Sequence, residues 1–253
     1  MKHEVKNYYS GTSGLILPVP NKSHYPEAYI NKSRLCYYGS LMNSIEINSS
    51  FYKIPLASTV KKWSEEVPND FRFTFKLFKG ITHSPKLGFQ VGDIAKFMNV
   101  INQVAEKKGC LLVQFPPSIK NANLGQLSDL MFRLQEHNPD NAWNIALEFR
   151  HQSLYTEEVY ELLEAHNLGM VIHDKGSVAS PFDAVDHNFI YLRFHGPGGN
   201  YRGSYSDDVL YEYAGYIAEW LLDRKKVFVY FNNTMGDAYD NLNTLKKFVL
   251  ELS

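Results

Sequence analysis

Seven ionisable residues recur in one kind of setting: Glu46, Glu148 and Asp174, Lys76, Arg150 and Arg193, and His195. Each lies near the end of a short run in which apolar and polar residues alternate, as in SIEIN (44–48), FTFK (73–76), ALEFR (146–150) and YLRFH (191–195). Carboxylates beside an imidazole can pass protons near neutral pH, which suits His195 as acid or base with Glu148 and Glu46 as partners. Arg150 and Arg193 offer planar donor forks for a carboxylate or phosphate. Lys76 could supply a point charge, a perturbed base or a Schiff-base amine. Asn48, Gln114, Asn232 and Asn233 end similar runs and would orient hydroxyl or phosphate oxygens.

After YLRFH comes GPGGNYRGSYSD, with Gly196, Gly198 and Gly199 ahead of a helix start near Ser206. Backbone N–H groups in such a loop, together with a helix N-terminus, favour an anion, and Tyr201 and Arg202 could close over it as a lid. The plainer reading is a tight turn that needs positive φ angles.

The elements that must carry these residues follow from period. Eight runs alternate with a two-residue repeat: KNYYSGTS, NSIEINSSF, RFTFKLF, CLLVQFP, NIALEFR, GMVIHD, FIYLRFH and KVFVYFNN. Helical patterns over about 26–41, 58–66, 93–107, 124–137, 156–166, 206–224 and 238–251 separate most of them, with start signals at Asp93, Thr156 and Ser206. The connection KGSVASPFDAVDHN is the weakest helix. Strand–helix alternation in eight units predicts one TIM-type (β/α)8 barrel over residues 1–253, with its site on the C-terminal rim. A doubly wound sheet is disfavoured because no G-x-G-x-x-G follows the first strand.

In a barrel strand alternate side chains face the helices or the interior. Ile45 and Ile47, Phe73 and Phe75, Leu111 and Val113, Ile145 and Leu147, Ile190 and Leu192, and Val227 and Val229 are expected outside. That leaves the polar residues inside; on GMVIHD the choice lies between His173 and Asp174, and Asp174 is favoured for its place at the rim. A single pair such as Glu148 with Arg193 reads as a structural salt bridge. A whole ring does not, because barrel layers are normally filled by Val, Ile and Leu.

Composition excludes several classes. The 253 residues are 44% hydrophobic and 21% charged, which excludes disorder. With 26 basic against 27 acidic residues no global field holds a polyanion, so nucleic acid is not favoured as a partner, nor is a membrane. Cys36 and Cys110 form no C-x-x-C pair and read as small apolar residues. The N-terminal stretch lacks the apolar core of a signal peptide, and a cytoplasmic location is expected. A divalent metal on Glu46, Glu148, Asp174 and His195 is conceivable, but no H-x-H or H-E-x-x-H spacing supports it and no cofactor is predicted.

GTSG (11–14), SIEINSSFYKIP (44–55), FRFTFKLFKGITH (71–83), LLVQFPPS (111–118), ALEFRHQSLY (146–155), YLRFHGPGGNYRGSYSD (191–207) and VYFNNT (229–234) together resemble the domain-of-unknown-function 72, or YecE-like, family. The resemblance spans nearly the whole chain and implies a single TIM-type barrel, but no particular reaction. Relatives often carry an aromatic residue after GTSG; here Leu15 stands there, which implies a differently shaped loop after the first strand. The residues favour an acid–base enzyme acting on a small anionic, phosphorylated or carboxylated, sugar-like substrate. Two alternatives are a phosphodiester-cleaving or nucleic-acid-processing enzyme, which needs a basic track leading from the rim, and a non-catalytic anion-binding barrel. Phe51 and Tyr52 could wall the site, and His83 reads as a surface residue more readily than as a second acid–base group.

Overall fold

A computed structural model describes residues 5–182 and 187–253. Eight parallel strands form the sheet: β1 Tyr8–Thr12, β2 Ser44–Ile47, β3 Arg72–Lys76, β4 Lys108–Gln114, β5 Asn144–Glu148, β6 Gly169–His173, β7 Phe189–Phe194 and β8 Lys226–Phe231. Neighbours run in the order β1-β8-β7-β6-β5-β4-β3-β2, so every pairing except the β8–β1 closure joins sequence neighbours. The chain is a (β/α)8 barrel.

The β1–β2 seam is closed differently from the rest. One bridge, Ser13 with Glu46, stands where a ladder would be, and the Gly14 N–H donates to the Glu46 carbonyl at 2.9 Å. Side chains supply the remaining bonds. The Asn43 amide accepts from the Ser10 N–H at 2.9 Å and donates to the Tyr8 carbonyl at 2.8 Å. The Tyr38 hydroxyl accepts from the Thr12 N–H at 2.8 Å and donates to the Ser44 carbonyl at 3.1 Å. A Cβ at Gly11 would lie 2.0 Å from the Ser44 carbonyl oxygen, so only glycine fits that position.

The helices are α1 Arg34–Leu41, α2 Ser49–Tyr52, α3 Ala57–Glu65, α4 Lys79–Thr82, α5 Val91–Ile101, α6 Leu124–Glu136, α7 Glu157–Ala165, α8 Asp207–Leu222 and α9 Ala238–Leu252. α6 illustrates their packing: Leu127, Leu130, Met131 and Leu134 fall at helical spacing and are all buried. Thr156 and Ser206 occupy N-cap positions, though neither side chain makes a capping hydrogen bond. Two expectations are corrected. The run NSIEINSSF ends as a strand at Ile47, because the chain turns into α2 immediately after Asn48. The connection after β6 carries a 3-10 turn, Gly176–Val178, and residues 183–186 within it lie outside the described residues.

Period decides the interior. Every strand residue expected outside packs in the buried shell between sheet and helices. Inside, Cys110, Leu112, Ala146, Val171, Phe189, Tyr191, Phe228 and Tyr230 form a second cluster. Its upper edge is polar: the Tyr230 hydroxyl bonds Ser44 at 2.5 Å and Thr74 at 2.7 Å. Cys110 is therefore a buried interior residue, and both cysteines are free thiols.

Candidate functional site

The layer above Tyr191 and Tyr230 is built from charge. Glu46 on β2 is fully buried and meets the Arg193 guanidinium through Nη2 at 2.8 Å and Nε at 3.0 Å. The Ser13 hydroxyl at 2.6 Å and the Tyr191 hydroxyl complete its shell. Arg193 reaches the other way with Nη1, 3.1 Å from Glu148 Oε2. Glu148 also pairs with Arg150 Nη2. Burial alone would raise both carboxyl pKa values, but the guanidinium groups outweigh it and hold Glu46 below, and Glu148 well below, the ordinary range. Burial would likewise lower Arg193, and the two carboxylates reverse that.

His195 lies over this layer with its side chain fully buried. Its Nε2 is 2.9 Å from Arg193 Nη1 and 3.0 Å from Arg150 Nη2. Guanidinium nitrogens only donate, so Nε2 must be the acceptor and the proton sits on Nδ1, facing Asp174 at 3.4 Å. Burial first, and then Arg193, keep its pKa below the ordinary value against the pull of Asp174. The expected acid–base role of His195 meets a physical obstacle: its basic nitrogen is already occupied by two cations.

Asp174 is corrected as well. β6 turns Val171, and hence His173, to the interior, with His173 in register with Arg193. Asp174 stands behind the ring, accepting from the His195 backbone N–H at 2.7 Å and from the Tyr205 hydroxyl. His173 is neutral: Nδ1 accepts from the Lys175 N–H at 3.2 Å, Nε2 lies 3.2 Å from the Phe149 carbonyl, and burial lowers its pKa to about 4. With Asp174 withdrawn, the ring holds three cations, Lys76, Arg150 and Arg193, against two carboxylates, Glu46 and Glu148.

The excess charge rests on Arg150 and Lys76. Arg150 Nη1 is buried without a hydrogen-bond partner. Lys76 is half-buried, donates to Gln114 at 2.7 Å and stands 4.2 Å over the Phe51 ring. Burial, and then repulsion from Arg193, bring its pKa down to about 8 against the pull of Glu148 and Glu46. Asn48 is half-buried with its Oδ1 unpartnered, and Asn232, buried just past the end of β8, donates its backbone N–H to the Phe194 carbonyl at 2.7 Å.

The glycine loop is arranged differently from expectation. The Gly196 N–H donates to the Tyr205 hydroxyl at 2.5 Å and the Gly199 N–H to the Gly196 carbonyl at 2.7 Å, so neither is aimed at an anion. Asp207 and Asp208 already answer the N-terminal dipole of α8. The glycines serve backbone shape: Gly196 has φ +95° and would put a Cβ 2.2 Å from the Arg202 carbonyl oxygen. Gly198 is exposed, as is Arg202. Tyr201 does lean over the ring, its centroid 5.6 Å from that of His195, held by Lys175 at 2.9 Å and in the left-handed region at φ +68°. Asn233 turns aside, its amide donating to Gly203 and Asn241, each at 3.0 Å.

Ser13, His173, Tyr191 and Tyr205 were not among the expected site residues. Tyr191 shares the two-residue period of Arg193, and His173 that of Val171; Ser13 and Tyr205 lie outside any period. For a metal the donors do not fit: Glu46 and Glu148 are spent on guanidinium groups, and among the described residues no three His, Cys, Asp or Glu side chains are gathered. A cleft of about 680 Å³ opens at the other end of the barrel, between Tyr8, Asn43, Phe71 and Lys246. It holds none of the ring residues, and its lysine already donates to the Leu41 carbonyl at 3.1 Å.

The sequence model of one family, described as "Protein of unknown function DUF72", matches residues 9–251. The chain belongs to the DUF72 family. UPF0759 protein YunF of Bacillus subtilis is 29% identical over 257 residues, covering 87% of each chain. Among solved DUF72 structures, one from Thermotoga maritima is 26% identical with a TM-score of 0.74, covering 96% of this chain and 99% of its own. Another, from Enterococcus faecalis, is 23% identical with a TM-score of 0.77, covering 97% and 98%. These DUF72 structures share the barrel. No helix among the described residues of this DUF72 chain is long and apolar enough to cross a membrane.

Proposed function

We propose that the protein is an enzyme that uses acid–base chemistry on a small anionic, sugar-like substrate bound at the C-terminal rim. The unpartnered Nη1 of Arg150, in a ring with more cations than carboxylates, carries this reading. A buried guanidinium donor costs free energy until an acceptor reaches it, and a phosphate or carboxylate oxygen is the matching acceptor. Lys76 takes the proton-transfer role first expected of His195. With a pKa of about 8 its neutral amine can accept a proton near neutral pH and its ammonium can return one. His195 is a positioning residue that fixes the two arginines, and Glu46 and Glu148 hold Arg193.

The test is turnover of a panel of phosphorylated and carboxylated sugars by the native protein, Lys76→Met and Arg150→Ala. The expected result is a reaction that rises with pH through about 8, disappears in Lys76→Met, and shows a raised KM in Arg150→Ala. Turnover that survives Lys76→Met with the same pH profile would sink the proposal. Tight binding without turnover across the panel would establish the non-catalytic alternative.

A further inference from the structure

The rim above β2, β3 and β4 carries charge of one sign. Residues 47–64, 71–92 and 107–128 contain no Asp or Glu. On the segments that leave these strands stand Lys53, Lys79, Lys86 and Lys120, all exposed. The first acid after β3 is Asp93, within α5. The two carboxylates of the ring itself are buried against guanidinium groups. A chain with a formal net charge of −1 therefore has a basic track that starts at its own candidate site.

Aromatic rings interleave with that track. Phe51 holds the Lys76 ammonium 4.2 Å above its ring and meets Tyr52 edge-on at 5.1 Å. Lys79 stands 5.6 Å from the Tyr52 centroid. Tyr52 is 67% exposed and Leu56, four residues on, 72% exposed. A small sugar phosphate at Arg150 would leave this outer wall unused. A flexible polyanion with flat, unstacked bases would use all of it, phosphates on lysines and a base on tyrosine. A duplex keeps its base faces stacked and offers Tyr52 nothing.

We propose that this sector binds single-stranded nucleic acid, stacking a base on Tyr52 and laying phosphates along Lys53, Lys79 and Lys86, with one nucleotide reaching Arg150 and Lys76. It deepens the acid–base reading by naming the class of anion that enters the ring, and it rests on that reading for what happens there.

The test is fluorescence anisotropy with labelled twelve-nucleotide oligo-dT and oligo-U, and a duplex of equal length, on the whole chain. Three or four phosphate contacts predict affinity that drops about 20- to 50-fold between 50 and 200 mM salt. Tyr52→Ala should weaken binding by about 5- to 150-fold, with Tyr52→Trp retaining it and both variants melting like the native protein. The pair Lys53→Gln with Lys79→Gln should flatten the salt dependence. Comparison of oligo-dT with oligo-U tells DNA from RNA. Absence of binding at 50 mM salt, indifference to Tyr52→Ala, or equal affinity for the duplex overturns the proposal. So does sedimentation showing a dimer, without oligonucleotide binding, that Tyr52→Ala dissociates. Oligonucleotide binding that persists in Lys76→Met, with no turnover by the native protein of either oligonucleotides or sugar phosphates, leaves this inference standing and removes the acid–base one. Turnover of sugar phosphates without oligonucleotide binding does the reverse.

Discussion

Lys76 and His195 exchange their expected characters because of what surrounds them. An exposed imidazole titrates near neutrality and an exposed ammonium does not. At this rim the imidazole has two guanidinium groups on its acceptor nitrogen, while the ammonium is half-buried beside the Arg193 charge. Burial first, and then the charge of Arg193, hold both groups below their ordinary values, which moves the histidine down and brings the lysine towards neutrality. Competitive acylation read by mass spectrometry checks this without a substrate. Lys76 should react with a midpoint near pH 8, about two units below an ordinary lysine, and Arg150→Ala should move the midpoint upward. A Lys76 that labels together with the surface lysines would return proton transfer to an unidentified group.

At the scale of the element, β7 is the axis of the site, since it carries Tyr191 and Arg193 and His195 follows directly past its end. Arg193 bridges β2 to β5 across the barrel, and its removal leaves Glu46 buried without a counter-charge and Glu148 with Arg150 alone. Arg193→Met should cost about 3–5 kcal/mol in urea unfolding at pH 7. The deficit should shrink towards pH 4, where the unpaired Glu46 carboxyl takes up a proton that it refuses in the native pair. An equal deficit at both pH values would show that packing, not charge, is what Arg193 contributes. Arg193, Glu46 and Glu148 were legible because a period of two separates them from Leu192, Ile47 and Leu147. Period ends where a strand ends, and past that point it assigns no face. His173 and Asp174 are both polar, and nothing local tells which is the last strand residue and which the first of the loop. The helical turn after Asn48 hides for the same reason, behind residues that could extend a strand. The glycines of the β7 loop announced positive φ correctly at Gly196 and Gly199. Their N–H partners, a tyrosine hydroxyl nine residues on and a local carbonyl, are tertiary facts with no local signature.

For the whole molecule, the buried histidines link ring and fold through pH. His173 is held neutral, with its pKa at about 4 in the fold against an ordinary 6.5, and His195 is lowered as well. The unfolded chain therefore binds more protons than the folded one between those values, so stability rises with pH across that window. Read downward, the contribution of His173 is complete above pH 6.5 and is lost as pH falls towards about 4, and that of His195 is lost in the same direction. Glu46 and Glu148 are also lowered, but their share is lost only below the ordinary carboxyl value of 4.5, so the two windows barely overlap. Thermal unfolding from pH 7 to 4.5 should show a loss on the order of 2 kcal/mol attributable to His173. His173→Gln, which cannot be protonated and keeps a donor and an acceptor, should be less stable at pH 7 yet show a shallower decline. A variant whose decline parallels the native curve would mean that the acid sensitivity of this barrel arises elsewhere than at the inward end of β6.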